Sequence, residues 1–217
     1  MKYKSISFFG QNALLIQWDN PDELAMIQHI QSLFFAMTET RLRGLLDIVP
    51  AYDSLTLYFQ PEVVGYPEVK AYVQAMVQGL PAHSSITRGT RWLIPVNYDN
   101  EETPDIQHIL NHTGLDYKEL LERHSGVDYL VAFLGFLPGF PYLYGLPEAL
   151  AMPRKKVPDR LIRAGSVAIG GRQAGIYPTD SPGGWYVLGR TTISLFDSGK
   201  APFCLLSLGD TVRFVQV

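Results

Sequence analysis

Cysteine is almost absent from this chain of 217 residues: Cys204 stands alone, so no internal disulfide can form. A reducing cytoplasm is the simplest setting for such a chain. Cys204 lies in APFCLLSL among apolar neighbours, which predicts a buried core residue and not a nucleophile. Charge is sparse too. Charged residues make up 18% and apolar residues 47%, with a net charge of −3. A packed core is therefore within reach and disorder is excluded. No basic surplus favours nucleic acid or a membrane surface. No apolar run reaches the roughly 20 residues of a membrane span. The opening MKYKSISFFGQNALLIQW lacks the long apolar stretch and small-residue cleavage site of a signal peptide and reads as strands.

The common catalytic signatures are missing as well. There is no GxxxxGK phosphate loop, and GGRQAG at 170–175 neither fits GxGxxG nor opens a helix. Ser166, in RAGSVAIGG, reads as a turn residue entering a strand, not as a nucleophile elbow. His108 and His112 stand four apart in HILNH, a metal-compatible spacing, but without an obvious third ligand; surface histidines are the better reading, and no metal site is expected.

What is present divides the chain. Four Gly and five Pro precede Arg88, whereas fifteen Gly and ten Pro follow from there on. A boundary between residues 80 and 95 follows, with loop residues supplied by GLPAHSSITRGT. Domains of 1–87 and 88–217 are expected. In the first, SISFF and ALLIQW form a hairpin, and a helix opens with Asn20 as cap and Pro21 in its first turn. Leu24, Ile27, Ile30, Phe34 and Met37 fall on one face of that helix. Two strands, a second helix (PEVKAYVQAMVQGL) and the strand RWLIPVNY complete a βαββαβ order, which points to a ferredoxin-like α/β sandwich. After two short helices, segments such as GSVAIGG, AGIYPT, TISLFD, CLLSL and TVRFVQV predict short strands of an all-β barrel or sandwich.

One stretch resists these categories. FLGFLPGFPYLYGLPEA, residues 133–149, holds five aromatics, three prolines and three glycines, with no charge before Glu148. Neither a helix interior nor a central strand tolerates such punctuation. It must be an ordered apolar loop packed against something. GIYPTDSPGGW is a second such loop, bearing Tyr177 and Trp185. The two either plug the barrel or line a groove edged by polar groups such as Gln173, Arg190 and Thr191. In PRKKVPDRLIR, otherwise a solvated basic loop, Arg154 is the best candidate to grip a carboxylate or phosphate.

FLGFLPGFPYL, Pro153–Arg154, AGSVAIGG, Gln173, GIYP, SPGGW, GRT, LFD and GDTVRF follow one another in an order that resembles one family. Its members are known as allophanate hydrolase subunit 1, as the B component of 5-oxoprolinase, or as the Kip-type histidine kinase inhibitor. The resemblance covers the whole second domain and is weaker over residues 1–85. It implies an α+β chain with a ferredoxin-like N-terminal domain and a cyclophilin-like C-terminal β-barrel. It also implies a subunit inactive by itself, acting with a companion of similar type and a lactam-opening subunit. The complex would convert 5-oxo-L-proline to L-glutamate, with ATP bound by or shared with the partners. Two alternatives come with it: a protein that inhibits autophosphorylation of a sensor histidine kinase, and half of a biotin-dependent urea carboxyltransferase. Matching positions make Phe140, Pro141, Arg154, Gln173, Tyr177 and Trp185 candidate residues of a substrate or partner groove, with no catalytic residue assigned. Three departures bear on substrate or partner: Arg163 where the family commonly has Pro, NYDNEET over 97–103 where it has a Gly-rich turn, and Ala174 where Thr is usual.

Overall fold

A computed structural model describes residues 1–80, 89–98, 103 and 105–217. The chain resolves into two compact units, Met1–Thr87 and Arg88–Val217. The junction expected between 80 and 95 falls largely on residues 81–88, which lie outside the described residues.

In the first unit, β1 (Ser5–Phe9) and β2 (Ala13–Gln17) form the expected hairpin, turned at Gly10 with φ of 70°. Helix α1 (Glu23–Glu39) follows, then β3 (Leu45–Pro50), β4 (Ser54–Phe59) and α2 (Tyr66–Gly79). The cap of α1 is Asp22, whose carboxylate accepts from Ala25 N at 3.0 Å, and not Asn20. Asn20 accepts instead from Asp22 N at 2.9 Å, an Asx turn that delays the helix by two residues. The buried stripe of α1 is also rotated from expectation. Ile27, Ile30, Leu33 and Met37 are inside, while Leu24 is exposed. Ile30, Leu33 and Met37 meet Leu55, Leu57 and Phe59, the inward set of the alternating β4, and Val69 and Val73 of α2.

The sheet order is β1-β2-β4-β3, antiparallel throughout, a ferredoxin-like arrangement with one change from the expected topology. RWLIPV does not belong to it. This strand, β5 (Arg91–Val96), joins the second unit, where Ile94 and Val96 enter the core. The place beside β2 is taken by β1, which reaches it through a short local turn and closes little loop entropy.

The second unit begins with β5. Helices α3 (Ile106–Thr113) and α4 (Tyr117–Ser125) come next, the latter with a capping box between Asp116 and Glu119. The strands that follow are β6 (Tyr129–Leu134), β7 (Pro141–Tyr144), β8 (Asp159–Ile162), β9 (Ser166–Gly170), β10 (Gln173–Ile176), β11 (Ser181–Gly183), β12 (Tyr186–Arg190) and β13 (Thr211–Gln216). Seven strands form one sheet in the order β12-β9-β10-β7-β6-β13-β5. Its two outer strands meet where Asn97 and Arg190 exchange backbone hydrogen bonds of 2.8 Å each, so the sheet is a nearly closed barrel. Val131, Leu143, Val167, Ile169, Ile176, Leu188 and Phe214 fill it. The strands expected at TISLFD and CLLSL are absent. Phe196 and Cys204 make one isolated bridge, because the chain between them turns at Asp197, whose side chain accepts from Gly199 N at 2.9 Å. Cys204 is half-buried there, not a core residue.

Candidate functional site

The proline- and glycine-broken stretch is a loop only in part: Phe133 and Leu134 end β6 and Pro141–Tyr144 form β7, a central strand of the sheet, with the irregular β6–β7 connection between them. Leu137 N donates to Gly135 O at 2.8 Å, Phe140 N to Leu137 O at 3.0 Å, and Gly135 N to Phe140 O at 3.1 Å. Gly139 has φ of 81°, and a Cβ there would lie 2.9 Å from Phe196 Cβ. Phe136 has φ of 66°, a left-handed conformation that costs a side-chain-bearing residue about 1–2 kcal/mol. Its ring nevertheless stays 60% exposed, edge-on to Phe140 at 5.5 Å and to Tyr177 at 6.3 Å. The loop is therefore part core and part rim, with Phe140 buried and Phe136 exposed. It holds an aromatic rim over a groove.

That groove has a volume of about 350 Å³, and Phe136, Phe140, Tyr142, Tyr177 and Trp185 make its aromatic wall. Phe140 is the keystone: buried, with the rings of Tyr142, Tyr177 and Trp185 around it at 5.1, 5.1 and 5.5 Å, all steeply inclined. Glycines supply the room. A Cβ on Gly175 would lie 2.7 Å from Phe140 Cζ, one on Gly170 would lie 2.9 Å from the Trp185 ring, and one on Gly183 would collide with the Tyr177 hydroxyl. Three glycine positions on β9, β10 and β11 are thus cut to fit three aromatic side chains.

The polar part is at the edge. Arg154 is exposed, with its guanidinium carbon 5.5 Å from the centre of the Trp185 ring. No carboxylate among the described residues pairs with it. Its neighbour Lys155 is the opposite case. The ammonium lies 2.7 Å from Asp105 and also holds Asp159, and Asp105 accepts further from Val187 N at 2.8 Å. Burial pulls the Lys155 pKa down, but the two carboxylates outweigh it and the net shift is upward. Lys155 N also donates to Gly184 O at 2.8 Å, so this residue pins the segment that presents Arg154. Burial pushes the Tyr177 hydroxyl up to about 12, against a hydrogen bond from the Trp185 backbone, and raises Tyr142 as well. Both phenols are neutral near pH 7. The arrangement suits a small, flat, largely apolar group that carries one carboxylate for Arg154 to grip.

Of the residues expected in the groove, Phe140, Arg154, Tyr177 and Trp185 line it together. Pro141 and Gln173 do not. Pro141 opens β7 opposite Leu134 and is buried in the sheet. Gln173 stands opposite Gly170 at the tip of the β9–β10 hairpin, beyond the groove wall, with its Oε1 buried and unpaired. Arg190 and Thr191, placed by sequence at the groove's edge, line a different cavity. Tyr142 and Lys155 were missed. Tyr142 was missed because the stretch read as a loop, whereas Pro141–Tyr144 is a strand whose pairing places Tyr142 opposite Gly175. Lys155 was not legible, because its carboxylate partners are 50 residues before it and four after it.

The departures from the family pattern have local explanations. Arg163 pairs with Asp180 at 2.8 Å on the surface. Ala174 is fully buried in the barrel core, where a threonine hydroxyl would need a partner. In NYDNEET, residues 99–102 lie outside the described residues. His108 stacks on Tyr186 at 4.8 Å, and no group of three metal-ligating side chains occurs among the described residues.

The chain belongs to the family described as carboxyltransferase domain, subdomain C and D, whose model matches residues 4–206. It is 36% identical to the B component of 5-oxoprolinase from Escherichia coli O157:H7 over 209 residues, which is 95% of this chain and 93% of that protein. The crystal structure of TTHA0988 superposes with a TM-score of 0.82 at 32% identity over 94% of this chain; this chain spans only 40% of that one. The Kluyveromyces lactis urea carboxylase superposes over 98% of this chain and 21% of its own, with a TM-score of 0.80, but at 17% identity that likeness speaks for the fold alone.

Proposed function

We propose that this chain is a non-autonomous subunit of an ATP-dependent 5-oxoprolinase complex that converts 5-oxo-L-proline to L-glutamate. The observation that carries the reading is near full-length similarity, at 36% identity, to a protein named as the B component of 5-oxoprolinase. The groove is compatible with it. A five-membered lactam is small and flat, and its carboxylate suits the exposed guanidinium of Arg154 beside Trp185. Opening the lactam adds water across the amide C–N bond and yields a second carboxylate and an amine. Among the described residues, the groove offers no paired nucleophile and base for that step. Its single free guanidinium does not fit a triphosphate, so ATP chemistry is assigned to the companion subunits. A cytoplasmic setting goes with this reading; no helix among the described residues is long and apolar enough to cross a membrane.

The test is glutamate release from 5-oxoproline with ATP, by the chain alone and then with a companion subunit of similar type and a lactam-opening subunit. Turnover is expected only from the assembled complex. R154Q should raise KM and lower kcat/KM about 30- to 160-fold, the loss of a charge-assisted pair worth about 2–3 kcal/mol. Turnover by the chain alone would remove the shared-site reading. Absence of turnover in the full assembly would favour the kinase-inhibitor alternative, to be examined by titration against a sensor kinase.

A further inference from the structure

We infer that a second groove, at the opposite end of β12 from the aromatic one, binds the phosphate group of a small molecule. This cavity of about 600 Å³ is walled by Asn97, Gly165, Arg190, Thr191, Thr192 and Ser194, among others, and shares no lining residue with the aromatic groove. Trp185 precedes β12 and Arg190 ends it, so the two sites are separated by the length of a strand.

Its charge is one-sided. Among the described residues, the lining holds one guanidinium and no carboxylate. The acid nearby, Asp180, is already engaged, by Arg163 at 2.8 Å and by Ala164 N at 2.8 Å. Arg190 also borders a neighbouring cavity with Asp105 and Asp159, but those carboxylates hold Lys155. Arg190 is fixed in advance. Its Nε donates to Ala164 O at 3.0 Å, and its backbone is bonded both ways to Asn97 at the barrel seam. The Nε bond orients the guanidinium plane and leaves the two terminal nitrogens, which have no partner among the described residues, as parallel donors.

The chain after Arg190 adds more donors. Thr191 is 4% exposed, and its hydroxyl accepts from Ile193 N at 3.2 Å, which holds residues 191–194 irregular and off the sheet. The backbone N–H groups of Thr192 and Ser194 find no partner among the described residues, and both residues line the groove; the Ser194 hydroxyl donates to Phe196 O at 3.2 Å and can still accept. A guanidinium fork, the Thr192 hydroxyl and main-chain N–H groups together outnumber the two oxygens of a carboxylate. They match the three terminal oxygens of a phosphate. The volume exceeds that of a lone phosphate and leaves room for the organic group that carries it.

The experiment titrates the full chain with inorganic phosphate, pyrophosphate, ATP and acetate, followed by calorimetry and by ³¹P NMR. Saturable phosphate binding is expected with a Kd of about 1 mM or tighter, weakening with added salt. R190Q should weaken it about tenfold or more, the T192A/S194A double variant about threefold or more, and R154Q not at all. Tighter binding of ATP than of inorganic phosphate would identify a nucleotide as the source; equal binding would identify free phosphate. Either supports the site. Three results would overturn it: no saturation by any phosphate probe up to about 20 mM, acetate binding as tightly as phosphate, or a Kd unchanged in both variants. Should R190Q fail to fold, because Arg190 anchors Ala164, the exposed pair T192A/S194A decides: an unchanged Kd there overturns the site.

Discussion

Gly175→Ala tests the claim that glycine and Phe140 are cut to one another. Gly175 is held on both sides, opposite Tyr142 of β7 and Ala168 of β9, so its backbone cannot retreat. A Cβ would stand 2.7 Å from Phe140 Cζ, 2.9 Å from Phe140 Cε1 and 3.0 Å from the Pro141 carbonyl oxygen. Normal contact is about 3.5–4.0 Å, so the ring must move by roughly an ångström. Phe140 is boxed in by Tyr142, Tyr177 and Trp185, and its one route leads outward, toward Phe136 and into the groove. Overpacking of this kind costs about 1–3 kcal/mol. The entropic gain of replacing glycine offsets about 0.5–1 kcal/mol of it. A net loss of about 1–2 kcal/mol is expected, read as a shift in urea midpoint at unchanged m-value. Phe140→Leu removes the colliding ring atoms. It should therefore be less damaging in the Gly175→Ala background than in wild type, with a coupling of about 1 kcal/mol. A Gly175→Ala midpoint equal to wild type, or purely additive losses in the double variant, would refute the idea that these two positions are matched.

Two further predictions concern stability. Asp210 is 5% exposed and accepts from Thr90 N at 2.7 Å, Ser207 N at 2.8 Å and Trp92 Nε1 at 3.0 Å; Asp210→Ala strands three donors and should cost about 3–5 kcal/mol in urea unfolding, a loss under about 1 kcal/mol being incompatible with this role. His124 is wholly buried, 2.8 Å from the Tyr98 hydroxyl, and burial lowers its pKa to about 3; the unfolded chain takes up a proton below about pH 6.5 that the folded chain refuses, so stability should fall as pH drops from 6.5 toward 3, by at most about 1.4 kcal/mol per unit. His29, lowered to about 4 chiefly by burial, acts in the same direction in the first unit. Urea midpoints at pH 7 and pH 5 should therefore differ, and less so in His124→Asn; a wild-type midpoint indifferent to pH would contradict the assignment.

Much of the site was legible in residues 133–185. Prolines and glycines among aromatics spoke against helix and strand over 133–149 and for an ordered loop; the loop forms only between Leu134 and Pro141, while Pro141–Tyr144 is a central strand because Pro141 opens it and Tyr142 and Leu143 pair on both sides. Phe140, Tyr177 and Trp185 became candidates through the family resemblance, on the two aromatic, Gly- and Pro-rich loops that carry it. Gln173 was misplaced for want of a register: the side chain lies beyond the wall because β10 begins there, a fact set by its pairing with Gly170. Lys155 was invisible as an anchor because Asp105 approaches it from a distant helix terminus.

By itself, the sequence determined what depends on neighbours a few residues apart: the hairpin at Gly10, the alternation of β4, the capping box at Asp116, and the change from a helix-bearing first unit to a turn-rich second. It also carried the family resemblance, since that rests on short motifs in order. Only the tertiary structure decided which strands meet. β5 reads as a ferredoxin strand in any local window, but it lies in parallel beside β13, and more than a hundred residues separate the two. The seam between Asn97 and Arg190 and the cradle of Gly175 around Phe140 have the same origin. Backbone donors and acceptors are alike in every strand, so the choice of partner falls to the packing of side chains that the chain brings together from far apart.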